Sequence, residues 1–238
     1  MLQPNPDLKK GLSNISEAQI KLQLLYRMYI KTEGIILARR NFGEADRILT
    51  IYTKDYGKIS AIAKGVRRPR SKKGGHVELG NWCKLFVAKG KNLDLLTEVE
   101  TNKAFGIDNF SSAKANKIYH LLELVDSLTQ HEQKNQKVFF LLLQYLDEIS
   151  KGNNFDLISS VFKVKLLAEL GFFSAKSLKG SKSQEFLQSL ENDDFENLQK
   201  RVKLDKDSYL KLLTFLDSMI ENLIERTLKT NRFINGTV

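Results

Sequence analysis

From Tyr29 to Val99 the chain strings together short runs of β-branched, aromatic and aliphatic residues, separated by turn formers. The runs are Tyr29–Arg39, Ile48–Thr53, Lys58–Val66, Trp82–Ala88 and Leu93–Val99. Asp55-Tyr56-Gly57 parts the second from the third, and Lys89-Gly90-Lys91-Asn92 parts the fourth from the fifth; both are hairpin signals. Five short strands predict a small barrel, because a flat sheet of five would leave exposed edges. Gly34 and Gly65 fall within these runs, where barrels use glycine to bend or bulge.

After Phe110 the period changes to that of helices. Ser111 and Ser112 are cap candidates ahead of Ile118, Leu121, Leu122, Val125 and Leu128 on one face. A second run carries Val138, Leu141, Leu142, Tyr145, Leu146 and Ile149. A third carries Ile158, Val161, Phe162, Leu166 and Leu170, with Lys165 at a solvent position and Gly171 where a helix end expects it. Residues 173–199 are polar and read as irregular, longer than an ordinary loop. The last helix begins near Asp207 and carries Leu210, Leu213, Leu216, Ile220, Leu223, Ile224 and Leu228. Ahead of the strands, residues 14–27 suit a short amphipathic helix with Ser16 and Gln19 spaced as a capping box. The expected organisation is α+β: an extension over 1–28, a five-stranded barrel over 29–107, and an all-helical domain over 111–238 with an irregular insertion at 173–199. Met28 is the expected natural start, which would make the extension dispensable.

Length and composition narrow the class. The 238 residues are 42% hydrophobic and 28% charged, enough for a core. No apolar stretch is long enough for a membrane-spanning helix, and MLQPNPDLKKGLS lacks the apolar core of a secretion signal, so a cytoplasmic location without membrane contact is expected. Charge adds more. Lys and Arg number 38 against 28 Asp and Glu, a net +10. Residues 28–110 hold 16 basic and 9 acidic groups, whereas 111–238 hold 18 and 17. An excess gathered in the barrel third of the chain makes a directed field that suits a polyanion.

Catalytic readings fail one by one. Nucleophilic catalysis by cysteine needs a histidine base; Cys83 sits mid-strand between Trp82 and Lys84 and reads as a buried or half-buried structural thiol. His76, His120 and His131 lack metal-ligand spacing. Tyr56-Gly57-Lys58-Ile59-Ser60 lacks the leading glycine of a phosphate loop and fits a hairpin better. Asp193-Asp194 falls among polar residues and reads as solvated surface. No enzyme and no cofactor are expected.

The strongest local signal is KGVRRPRSKK. Lys64, Arg67, Arg68, Arg70, Lys72 and Lys73 place six cations and no acid in ten residues. Pro69 and Gly74-Gly75 make this a loop leaving the third strand. Packed like charges repel, so the loop is either solvated or faces an anion. A phosphate backbone is such an anion, and it is alike at every nucleotide. Arg39, Arg40 and Arg47 add a second cluster around the first turn, and Lys84 adds a cation on the fourth strand. Tyr29, Phe42, Tyr52, Tyr56, Trp82 and Phe86 are interspersed with the strands; those left exposed are able to stack on unpaired bases. Composition leaves DNA, RNA and a non-catalytic protein scaffold open.

These residues carry a resemblance. Thr32-Glu33-Gly34-Ile35-Ile36-Leu37, Asn41-Phe42-Gly43-Glu44-Ala45-Asp46-Arg47-Ile48-Leu49, Tyr52-Thr53, Gly57-Lys58 and Ala63-Lys64-Gly65-Val66-Arg67-Arg68 resemble the N-terminal pattern of the bacterial RecO recombination mediator family. Phe162-Lys163-Val164-Lys165-Leu166-Leu167-Ala168-Glu169-Leu170-Gly171-Phe172 is similar to the helix ahead of that family's zinc module, and Arg226-Thr227-Leu228-Lys229-Thr230-Asn231-Arg232-Phe233-Ile234 to its closing helix. The resemblance runs with gaps over 29–234. It implies an OB-fold barrel followed by a helical domain and a nucleoid-associated role in recombinational repair. It further implies binding of single- and double-stranded DNA, annealing of complementary strands, and partnership with RecR in loading RecA onto DNA coated by single-stranded-DNA-binding protein. Many members hold zinc with four cysteines in the helical domain. This chain has none between Gly171 and Val238, so a zinc-free version is expected.

Overall fold

A computed structural model of the chain describes residues 28–105, 112–177 and 181–234. The expected helix at 14–27 and the cap candidate Ser111 lie outside the described residues. Five strands form first: β1 (Tyr29–Phe42), β2 (Asp46–Thr53), β3 (Gly57–Ala63), β4 (Trp82–Ala88) and β5 (Asp94–Lys103). Their order, β1-β2-β3-β5-β4, closes into a barrel. All neighbours are antiparallel except β3 and β5, which run parallel through Ala61↔Asp94 and Ile62↔Leu95. β1 is long enough to serve two partners: its first half pairs with β4, its second with β2, and Gly34 pairs with both Thr53 and Cys83. A Cβ at Gly34 would lie 2.7 Å from both Ile51 Cγ2 and Leu85 Cδ1, so the crossover needs the bare backbone. The bulge in β1 falls between Ile36 and Ala38, not at Gly34.

Ile36, Leu49, Ile51, Ile59, Leu85 and Val87 fill the barrel. Cys83 is buried among them, its Sγ 3.2 Å from the His76 carbonyl. Burial pushes this thiol up to about 11, as expected of a structural cysteine.

The helical region comprises α1 (Ser112–Leu128), α2 (Gln136–Lys151), α3 (Phe155–Glu169), α4 (Ser181–Asn192), α5 (Phe195–Arg201), α6 (Lys206–Ile224) and α7 (Asn231–Ile234). Asn135 caps α2 and Asn154 caps α3, each side-chain oxygen accepting two backbone N–H groups of the first turn. Gly152 and Gly171 follow α2 and α3 in the left-handed region. Among the described residues no helix is long and apolar enough to cross a membrane.

Three expectations need correction. The stretch 173–199 is not irregular: it contributes α4 and most of α5. Two short pairs of apolar anchors, Leu187 with Leu190 and Phe195 with Leu198, are buried there, and the polar residues around them mask the period. Lys165 does not simply face solvent: it is half-buried, and its ammonium donates to the Glu191 and Asp193 carbonyls, both at 2.9 Å. Leu210 and Leu223 stay exposed on α6, whose buried face is Tyr209, Leu213, Leu216, Asp217 and Ile220.

Barrel and helices are not separate bodies. Ile35, Leu37 and Tyr52, on the flank of β1 and β2, belong to the same apolar core as Leu121, Val125, Phe139 and Leu142. Burial pushes the Tyr52 phenol up, and its hydroxyl donates to the Asn135 carbonyl at 3.2 Å. Lys58, buried on β3, donates to the Asp126 carbonyl at 2.5 Å and meets its carboxylate at 3.3 Å. The turn before β3 presses on the α1–α2 connection: at Gly57, φ +68°, an added Cβ would sit 2.0 Å from the Gln133 carbonyl oxygen.

Candidate nucleic-acid interface

Strand lengths decide where the cations fall. β1 runs on to Phe42, so Arg39 and Arg40 are strand residues, and β3 stops at Ala63, which leaves Lys64 as the first residue of the loop. That loop returns through a 3-10 turn (Gly74–Val77) to β4. It is fastened to the β1–β2 turn at three points. The Asp46 carboxylate accepts from the Gly65 N–H at 2.7 Å, the Arg67 N–H donates to the Ala45 carbonyl at 2.9 Å, and the Arg67 guanidinium donates to the Gly43 carbonyl at 3.3 Å. The two cationic clusters therefore meet at one end of the barrel.

Their side chains fare differently there. Arg40, Lys64, Arg67, Arg68, Arg70 and Lys72 are exposed, and none forms an ion pair among the described residues. Lys73 is half-buried and donates to the Leu96 carbonyl at 3.2 Å. Arg39 and Arg47 both meet the Glu78 carboxylate: Arg39 in a close ion pair, Arg47 at 3.4 Å from the same oxygen. Lys84 lies elsewhere, on the β1–β4–β5 flank, in register between Glu33 and Glu100. The structure thus gathers the loop cations with Arg40 and leaves Lys84 apart between carboxylates.

Register places Arg40, Ile48 and Ile62 in one row across β1, β2 and β3, with Ala38, Thr50 and Ser60 in a neighbouring row. The far end of this face is covered, because Tyr52 and Lys58 are tied to the helical region. The end beside the cationic loop stays open. A groove lined by Ile59, Ser60, Lys89, Lys91 and His131 lies toward the covered end, where the β4–β5 turn meets the α1–α2 connection. Of the barrel aromatics, Phe42 is 50% exposed and adjoins the β1–β2 turn. Tyr56 is also exposed, at the opposite end of β2. Tyr29 and Phe86 stack on each other with centroids 5.2 Å apart, Trp82 donates to Glu33 at 3.0 Å, and Tyr52 is core.

Sequence reasoning missed Glu78. It ends the loop, in His76-Val77-Glu78-Leu79-Gly80, as the first acid after six cations, and that placement is the signal that marks it. His76, without metal-ligand spacing, has a structural role instead. Its Nδ1 accepts from the Thr101 N–H at 3.2 Å and lies 2.8 Å from the Thr101 hydroxyl, seating the 3-10 turn on β5. Among the described residues no three His, Cys, Asp or Glu side chains gather as a metal site.

The strand order, the barrel closure and the cation-rich end define an OB-fold-like barrel protein with a helical body packed on one flank. A family model described as Recombination protein O N terminal matches residues 28–105, and one described as Recombination protein O C terminal matches residues 118–174. The chain belongs to the RecO family. It is 36% identical over 146 residues to the DNA repair protein RecO of Caldicellulosiruptor bescii, which is 60% of this chain and 59% of that one. It is 32% identical over 142 residues to that of Pelotomaculum thermopropionicum, covering 60% and 55%, and 35% identical over 142 residues to that of Dehalococcoides mccartyi, covering 60% and 56%. The chain spans little more than half the length of these curated relatives.

Proposed function

We propose that the open end of the barrel is a non-sequence-specific, non-catalytic DNA-binding surface, and that the protein serves recombinational repair by holding and annealing strands. The observation that carries this is the convergence of Arg40, Lys64, Arg67, Arg68, Arg70 and Lys72, all exposed and without ion pairs among the described residues, on the barrel end next to the exposed ring of Phe42. Such a surface neutralises phosphates without reading bases, and an aromatic ring offers any base a stacking partner. Two strands neutralised together repel each other less, and base pairing then supplies the specificity. The relatives named DNA repair protein RecO support the setting. Cooperation with RecR, single-stranded-DNA-binding protein and, through them, RecA is part of the same reading and rests on the family resemblance.

Replacing Arg67, Arg68 and Arg70 together by alanine tests the surface. Binding of single-stranded DNA should weaken alike for all sequences, and the log–log salt slope should shrink by about 2, at ~0.7 per phosphate contact. Annealing should fall further than binding of one strand. A normally folded triple variant with unchanged affinity and slope would return the loop to plain solvated surface. Parallel titrations with RNA oligonucleotides of the same sequence separate a DNA from an RNA preference.

A further inference from the structure

Glu78 is the acid that ends the cationic loop, and its Oε1 faces two arginines from adjacent strands. Arg39 on β1 touches it, and Arg47 on β2 lies 3.4 Å away. The side chains of Arg39, Arg47 and Glu78 are 22%, 22% and 21% exposed, so the cluster lies at the surface, although the Arg39 Nη1 that meets Glu78 is itself buried. A carboxylate offers guanidinium groups what a phosphate offers: negative charge and paired oxygen acceptors. An arginine already holding a carboxylate releases fewer counterions when DNA arrives, because part of its charge is already neutralised.

We propose that Glu78 is an internal stand-in for phosphate that holds Arg39 and Arg47 out of the DNA-binding surface. It thereby keeps the affinity of the barrel end below what its full set of cations would give. A protein that brings strands together must also let the product go, and a built-in competitor keeps binding exchangeable. The inference rests on the DNA-binding reading of the barrel end. Asp46, at the start of β2, does not play this part, because its carboxylate is engaged by the Gly65 N–H.

The test uses the full chain, a fluorescent oligothymidylate and a series of salt concentrations. Glu78→Gln should steepen the log–log slope by about 1.4, two contacts at ~0.7 each, and tighten binding roughly tenfold at about 0.1 M salt. Glu44→Gln, an exposed acid in the neighbouring turn, makes the same charge change without an arginine contact and should leave the slope alone. In an Arg39→Ala/Arg47→Ala background the effect of Glu78→Gln should vanish. A slope unchanged by Glu78→Gln, or a gain that persists without the two arginines, would overturn the inference. If Glu78→Gln folds poorly, the Arg39→Ala/Arg47→Ala variant decides alone: the inference requires a wild-type slope, and a drop of about 1.4 defeats it. The loop triple variant is run alongside. If it loses affinity while Glu78→Gln changes nothing, the stand-in fails and the surface survives; if it too changes nothing, the surface itself falls.

Discussion

His120 shows what one buried side chain demands of its surroundings. It is fully enclosed on α1, with Nδ1 2.8 Å from the Thr230 hydroxyl, its ring edge-on to Phe155, and Nε2 without a hydrogen-bond partner among the described residues. Burial first, and then the charge of Lys163, hold the imidazole well below its ordinary range. The folded state therefore refuses a proton that the unfolded chain accepts below about pH 6.5. Stability is full above that value and is lost as pH falls, with a limiting slope of about 1.4 kcal/mol per pH unit. Urea unfolding between about pH 7.5 and 5 should show a steeper loss for the wild type than for His120→Asn, and the difference removes contributions from other groups such as Asp217. Equal slopes would mean that the ring is protonated in the native state. Local context reveals Cys83 as structural, since a thiol flanked by strand residues has few other roles. It does not reveal Lys163 or Glu78, whose environments are set by partners tens of residues away.

Among the elements, α3 is the axis of the helical region. It is buried on nearly all sides, from Phe155 through Leu167. A charge on such a helix needs a partner, and Lys163 finds Asp217 of α6 at 2.5 Å, 54 residues on. Burial lowers the Lys163 pKa and raises that of Asp217, opposed in each by the partner's charge. Asp217→Ala strands a buried ammonium and should cost about 3–5 kcal/mol. The apolar pair Lys163→Met/Asp217→Leu should recover most of that loss. Chemical denaturation of both variants checks this; a cost below about 1 kcal/mol for Asp217→Ala would mean that the site is wetter than its burial implies. The five strands were legible because each is bounded by its own turn residues, and β4 matches its expected span, Trp82–Ala88. Helices α4 and α5 were not, because only two apolar anchors apiece survive among polar neighbours. The barrel-end cluster was legible as charge, but its division into free and neutralised arginines depended on a fold that brings Glu78 back to β1 and β2.

For the molecule as a whole, the barrel flank and the helices share one core. Ile35, Leu37 and Tyr52 are covered by α1 and α2, while the Lys58 side chain ties β3 to Asp126 near the end of α1 and Gly57 presses on the connection between those helices. Neither part keeps its apolar surface covered without the other. Thermal unfolding should therefore be one cooperative transition, with equal calorimetric and van't Hoff enthalpies, despite the change from strands to helices along the chain. Two resolved transitions would show that the halves unfold independently. The division into a strand-rich and a helix-rich part was plain from periodicity. Their fusion was not, because Ile35, Leu37 and Tyr52 look like any other inward-facing strand residues.

That fusion has a consequence for how the protein is made. The last barrel strand ends at Lys103, but the cover for its flank is complete only near Leu142. At about 5–20 residues per second, a ribosome takes roughly 2–8 s to supply those residues. During this interval a nascent chain holds all five strands, yet presents Ile35, Leu37 and Tyr52 to any apolar surface in the cell. Slowing translation while these residues emerge from the ribosome lengthens the vulnerable window and lowers the yield of folded protein, whereas slowing it once the segment through Leu142 has emerged does not.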